Sequence, residues 1–213
     1  MINGLTAKWG IGDARKPPFW DTALMARYEV KDAVEVEGVV TSIPNTATIA
    51  VKPGALGSMN GAEMIDGSLV FNGVDGRCNT PSAFEIPQRF TMLWDIDWLG
   101  DTNTIGGVAI PSIATVENKI ETSQLALWLG TPSNTKLVPN TIVGFSTDNY
   151  AYSRDGSRTS LGLTVSTNRT PQRLYVGHNN RAGYSKLAFR SLYIFSRELT
   201  PDEMTEALAA MFS

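Results

Sequence analysis

The stretch from Arg173 to Phe212, RLYVGHNNRAGYSKLAFRSLYIFSRELTPDEMTEALAAMF, constrains the fold more than any other. Leu174, Tyr175 and Val176 run into Gly177-His178-Asn179-Asn180, residue types that tolerate a turn with positive φ. From Leu187 to Phe195 the large apolar residues are Leu187, Phe189, Leu192, Tyr193, Ile194 and Phe195. That is β-rich without strict alternation, the pattern of a strand covered on both faces at one end. The period then changes to 3.6. Thr200 is an N-cap, Pro201 fits the first helical position and Glu203 completes a capping box. Met204, Ala207, Leu208 and Met211 fall on one apolar face, so a short closing helix is predicted to lie on a sheet.

Upstream, Ser68-Leu-Val-Phe-Asn-Gly-Val-Asp75 and Phe90-Thr-Met-Leu-Trp94 supply two further strand patterns. In their order and spacing, these pieces and the closing strand and helix resemble a laminin-G-like or concanavalin A-like lectin-glucanase module. Met25-Ala-Arg-Tyr28 and the later GVVTSIPNT are similar to the openings of such modules in bacteriophage virion proteins, which extends the resemblance back to about residue 23. The fold it implies is all-β: an antiparallel jelly-roll β-sandwich with a short C-terminal helix. That fold hosts lectins, glycosidases, adhesion modules and virion proteins, so the resemblance bears on fold more than on function.

A chain of 213 residues is long enough for one large sandwich with its own core. A single cysteine, Cys78, excludes an intrachain disulfide, and one Cys with one His rules out a zinc site built from those residues alone. The net charge is −3 and the sequence pI about 5.2, which argues against a nucleic-acid partner. Arg154, Arg158, Arg169, Arg173, Arg181, Lys186, Arg190 and Arg197 form a basic run that reads first as a solvated face and second as a contact for an anionic partner. No signal peptide and no membrane-spanning run is read from the sequence, so the expectation is a protein made in a host cytoplasm and carried in a virion.

Residues 1–22 read as an irregular arm, with Trp9, Phe19 and Trp20 near Pro17-Pro18. Such an arm either folds back on its own domain or reaches a neighbouring subunit; the second is the expectation taken, with assembly through Trp9, Phe19 and Trp20 into an oligomer or a virion shell. Residues 23–213 are then the sandwich domain. Ala23–Val30, Thr46–Val51, Leu69–Phe71, Phe90–Leu99, Thr104–Ala109, Gln124–Leu129, Thr141–Phe145, Asn149–Ser153, Ser160–Val165 and Arg173–Val176 are predicted strands, and Pro53 to Gly67 a loop.

The sharpest chemical candidate is Leu93-Trp-Asp-Ile-Asp-Trp-Leu-Gly100. It resembles in part the Glu-x-Asp-x-x-Glu strand of family 16 glucanases. Asp95 and Asp97 alternate with Trp94, Ile96 and Trp98, so both carboxylates share one face of a strand. The third acidic position is Gly100, and Asp101 is out of phase, so the glucanase pattern breaks. Asp95 and Asp97 are therefore candidates for polar contacts to a sugar, and Asp148, Asn149 and Tyr150 form a second polar and aromatic loop that can face one. No cofactor is expected. Calcium is a candidate at Asp95, Asp97, Asp101 and Asn103, without an EF-hand spacing and with the metal ligands unknown. The reading taken is a non-enzymatic virion structural or adhesive protein, capsid-decorating or tail-associated, that binds cell-surface carbohydrate. The alternatives are a stand-alone lectin and a family 16-like glycoside hydrolase.

Overall fold

The structure is a computed structural model, and it describes residues 17–85, 87–99, 107–113, 116–121, 126–129, 135–137, 142–161, 173–177, 184 and 186–213. In chain order the first strands are β1 (Leu24–Glu29), β2 (Val34–Val36), β3 (Val39–Ser42), β4 (Gly57–Asn60), β5 (Ala62–Ile65), β6 (Ser68–Asn72), β7 (Arg77–Asn79) and β8 (Thr91–Trp98). They are followed by β9 (Gly107–Ile113), β10 (Val116–Glu121), β11 (Ala126–Leu129), β12 (Thr135–Leu137), β13 (Ile142–Ser146), β14 (Tyr150–Ser153), β15 (Arg158–Ser160), β16 (Tyr175–Val176) and β17 (Lys186–Phe195). Two helices complete the set, α1 (Trp20–Ala23) and α2 (Pro201–Met211).

These elements form an antiparallel β-sandwich with a short C-terminal helix. The first sheet runs β15-β14-β13-β8-β17-β6-β5, and the second runs β12-β11-β10-β9-β16-β7-β4. β17 is the hub of the first sheet. One of its edges pairs with β8 along almost its whole length; the other pairs with β6 over Lys186 to Phe189 and with β1 over Ser191 to Phe195. Alternation sends Leu187, Phe189, Leu192 and Ile194 into the core between the sheets, with Met92, Trp94, Phe71, Cys78 and Val176. Tyr193 and Phe195 point the other way, into a second cluster beneath α2 with Met204, Ala207, Leu208 and Met211. A register shift between Phe189 and Ser191 inserts one residue, and that bulge is why the apolar pattern of this strand does not alternate.

The closing helix is capped as its sequence dictates. Thr200 Oγ1 accepts from the Glu203 backbone N–H, and the Glu203 carboxylate accepts from the Thr200 N–H. Arg197 donates twice to that carboxylate, which holds it at about 2, well below the ordinary carboxylate value.

Three sequence expectations differ from the structure. Thr46–Val51 is not a strand. The Asn45 side chain takes over the backbone groups there: its Oδ1 accepts from the Arg27 and Ala47 N–H, and its amide donates to Met25 O and Pro53 O. The expected loop from Pro53 to Gly67 contains β4 and β5. Its glycines are turns rather than slack chain, since Asp66 and Gly67 both adopt positive φ (47° and 74°), the two-residue hairpin turn between β5 and β6. The expected arm is in part core. Trp20 is 3% exposed in α1 and packs edge-on against Tyr193 with ring centroids 5.5 Å apart, while Phe19 lies 5.9 Å from the Phe195 ring. An indole buried in its own chain has no apolar surface left for a neighbour, which corrects the outward role given to Trp20. Trp9 lies outside the described residues.

Candidate functional site

β8 alternates Met92, Trp94 and Ile96 toward the core with Leu93, Asp95 and Asp97 outward. Leu93 is roofed by α2. Asp95 and Asp97 continue the strand past the helix, on the outer face of the first sheet. The bulge on β17 delivers Arg190 to the same face. Its Nε and Nη2 donate to the two Asp95 oxygens, both at 2.8 Å, and its Nη1 donates to Asp97 Oδ2 at 2.7 Å. Arg154, just beyond β14, adds a bond to Asp95 Oδ1 at 3.0 Å and lies 4.0 Å over the Phe212 ring. The ledge therefore holds two carboxylates and two guanidiniums in register across three strands. The Asp95 side chain is 13% exposed and that of Asp97 is 60% exposed, so Asp97 is the group presented to solvent.

The electrostatics follow from this geometry. The hydrogen bond from Arg190, ahead of its charge, holds the Asp97 carboxyl below the ordinary carboxylate value, and Asp95 and Asp97 push Arg190 up in return. A glycosidic general acid needs a raised carboxyl, so Asp97, held down by Arg190, is not placed as the acid of a glucanase pair. The same guanidinium stands where a cation bound between Asp95 and Asp97 would sit. Among the described residues no group of three or more His, Cys, Asp or Glu is placed to hold a metal ion, and Asp101 and Asn103 lie outside those residues.

Asp148, Asn149 and Tyr150 sit at the β13–β14 turn, with Asn149 at φ 80°. Thr91 on β8 faces Ser146, at the turn end of β13, so Asp95 and Asp97 lie about 13 Å or more down the strand from there. The structure thus separates the two expected groups. Burial pushes the Asp148 carboxyl up, against a hydrogen bond with Ser146. Arg158 stacks over Tyr150 at 4.3 Å, and Tyr152 beside it is 4% exposed with its hydroxyl pushed to about 12 by burial and then by Asp148.

A third polar cluster is absent from the sequence reading. Glu29 is 6% exposed on the outer face of β1, where it accepts from Tyr193 Oη at 2.7 Å and pairs with Arg27 at 2.5 Å. Arg27 in turn lies 5.2 Å over the Trp20 ring. This cluster fixes α1 to the sheet. Its only sequence signal is the alternation of Arg27 and Glu29 with Ala26 and Tyr28.

No protein-family model matches the chain, and no curated protein matches it. Among solved structures the chain is similar to Trypanosoma rangeli sialidase at a TM-score of 0.61 and 13% identity, over 89% of this chain and 33% of that one. The same sialidase in complex with sialic acid gives 0.60 and 12%, again over 89% and 33%. A structure described as HCR/D-Sa-GBL1/C gives 0.51 and 13%, over 90% of this chain and 53% of that one. The chain spans about a third of the length of the sialidases it matches, and at these identities the likeness shows the fold. The expectation of a non-enzymatic protein, which rested on the broken acidic pattern of residues 95–101, is corrected by these matches, since solved structures of similar fold are sialidases. Among the described residues, no helix is long and apolar enough to cross a membrane.

Proposed function

We propose that the protein is a carbohydrate-binding module of the laminin-G-like and concanavalin A-like kind, serving as a structural or adhesive component of a virion. The observation that carries the carbohydrate half is the ledge of Asp97, Asp95, Arg190 and Arg154. Its exposed carboxylate and guanidinium are held rigid on neighbouring strands, and such groups accept from and donate to vicinal sugar hydroxyls without first paying side-chain entropy. The ledge is balanced in charge, two Asp against two Arg, so it suits a neutral saccharide. The fold supports the reading, since a protein of similar fold is known in complex with sialic acid. The virion half rests on the likeness of Met25-Ala-Arg-Tyr28 and the stretch from Gly38 to phage-borne modules, and implies partners among virion subunits or further copies of the chain.

The test is a titration against a panel of neutral and acidic oligosaccharides, with Asp97→Asn alongside. Removing the exposed charge should weaken a neutral ligand by about tenfold, the worth of one charge-assisted hydrogen bond. A panel in which no saccharide binds at millimolar concentration would sink the carbohydrate half. The virion half fails if the protein is absent from purified particles of its source.

A further inference from the structure

β2 and β3 belong to neither sheet of the sandwich; they form a two-stranded ribbon of their own. Val36 faces Val39 across the turn Glu37-Gly38, whose φ values of 53° and 79° are the left-handed pair that a two-residue hairpin requires. Val40 anchors the ribbon: it is 6% exposed and belongs to the core cluster with Ile43 and Leu56. The other face carries Val34, Val36 and Val39, exposed at 48%, 56% and 62%. Single apolar residues on a surface are ordinary, but three gathered on one face of a fixed hairpin mark a contact. From Asp32 to Ser42 the charged residues are Asp32, Glu35 and Glu37, all acidic.

Among the described strands, β2 pairs with β3 alone, and all three of its residues are exposed. The tight turn makes Val36 and Val39 the pair that exchanges backbone hydrogen bonds, so Glu35 and Val40 form the next, unbonded pair. The Glu35 N–H and C=O therefore point away from β3, toward the outer edge of the ribbon. Two strands are marginal as a sheet, and an edge of this kind is a template for a third. The charge on the edge decides which strand it takes. A second copy of β2, laid antiparallel and centred here, would set Glu35 against Glu35, and like charges directly opposite repel. A basic strand meets the opposite charge at the same place.

We infer that the edge of β2 takes an extended, basic segment of a partner protein by strand addition. The residue of the added strand opposite Glu35 shares its face and is lysine or arginine. The residues on either side of it lie on the other face, beside Val34, Val36 and Val39, and are apolar. The recognised pattern is therefore apolar, basic, apolar. Backbone bonds to the Glu35 N–H and C=O supply affinity, and the side chains supply selection. Glu37, exposed at the turn, adds a second negative charge at the end of the edge. The inference concerns a protein partner and stands apart from the carbohydrate reading above.

The probe is a short blocked peptide alternating valine with lysine, titrated into the whole chain and followed by amide chemical shifts and hydrogen exchange. Its counterpart alternates valine with glutamate. The lysine peptide should bind and slow exchange of the Glu35 amide, and the glutamate peptide should not bind. Glu35→Gln should weaken the lysine peptide several-fold, the worth of an exposed cross-strand ion pair. Glu35→Lys, which turns attraction into repulsion, should weaken it on the order of tenfold or more and let the glutamate peptide bind. Glu85→Gln removes an exposed acid outside the ribbon and should change nothing. Near-ultraviolet circular dichroism confirms that each variant is folded. The inference is overturned if the two peptides bind alike, if Glu35→Lys keeps the lysine peptide, or if that peptide binds without slowing the Glu35 amide. Failure of the lysine peptide to bind overturns it as well, and leaves the carbohydrate reading untouched.

Discussion

On the outer face of the first sheet, Arg190 and Arg154 each reach a carboxylate, and α2 roofs the rest. On the outer face of the second sheet, Arg77 and Arg173 are exposed, and the described helices lie elsewhere. Both faces arise from the same two-residue alternation on antiparallel strands. On the first face the charges of Asp95, Arg154 and Arg190 pair across strands and hold the fold, with Asp97 the group left mostly to solvent, whereas Arg77 on the second sheet is exposed and makes one long bond, to the Tyr184 hydroxyl. Substitution of the paired Arg190 should therefore be read mainly in stability, and substitution of the more exposed Asp97 or Arg77 much less so.

The largest effect should come from under the roof. Trp20→Ala empties a fully packed site against Tyr193 and Arg27 and is expected to cost about 3–5 kcal/mol in urea unfolding. A variant of unchanged midpoint would show that α1 is not part of the core. Next, Arg190→Ala leaves Asp95 mostly buried with Arg154 as its remaining cation. The expected cost is about 2 kcal/mol, less than breaking a fully enclosed pair. A loss under about 0.5 kcal/mol would mean that the ledge is not held for stability, and would erase the contrast between the faces.

Glu203→Gln should cost about 1 kcal/mol at neutral pH, through the capping box and the Arg197 pair. Its carboxyl is depressed on folding, so this contribution is whole above the ordinary value of 4.5 and is lost as pH falls toward about 2. The two chains should converge in stability across that window; a gap that persists at its acid end would assign the effect to packing. The smallest effect belongs to the second face. Arg77→Ala should shift unfolding by no more than about 0.5 kcal/mol, because the residue is exposed and its bond to the Tyr184 hydroxyl is long at 3.5 Å. A larger loss would mean that the second face, too, is committed to the fold.

What the sequence disclosed follows the range of each interaction. The capping box, the helix face and the alternation of Asp95 and Asp97 are local, and they are read from residues a few positions apart. Trp20 looked like part of an outward arm because its partners, Tyr193 and Phe195, lie at the far end of the chain. Arg190 was visible as one of a basic run, yet its pairing depends on a bulge that no composition signals. At Thr46–Val51 the side chain of one residue, Asn45, outcompeted strand pairing. The pairing of Asn79 with Tyr175 joins strands far apart in sequence, so no local pattern announced it.

The position of β17 has a consequence for how the chain comes into being. It is the last of the described strands, and it joins β8, which otherwise pairs with β13, to β6, which otherwise pairs with β5, and to β1, which pairs with it alone. During vectorial synthesis at about 5–20 residues per second, the early strands must wait with open edges until residue 195 has emerged. The pairing of Leu24 with Phe195 closes nearly the whole chain in one step, a long-range contact that slows folding. The first sheet is thus completed from its centre, and only after nearly all of its sequence exists.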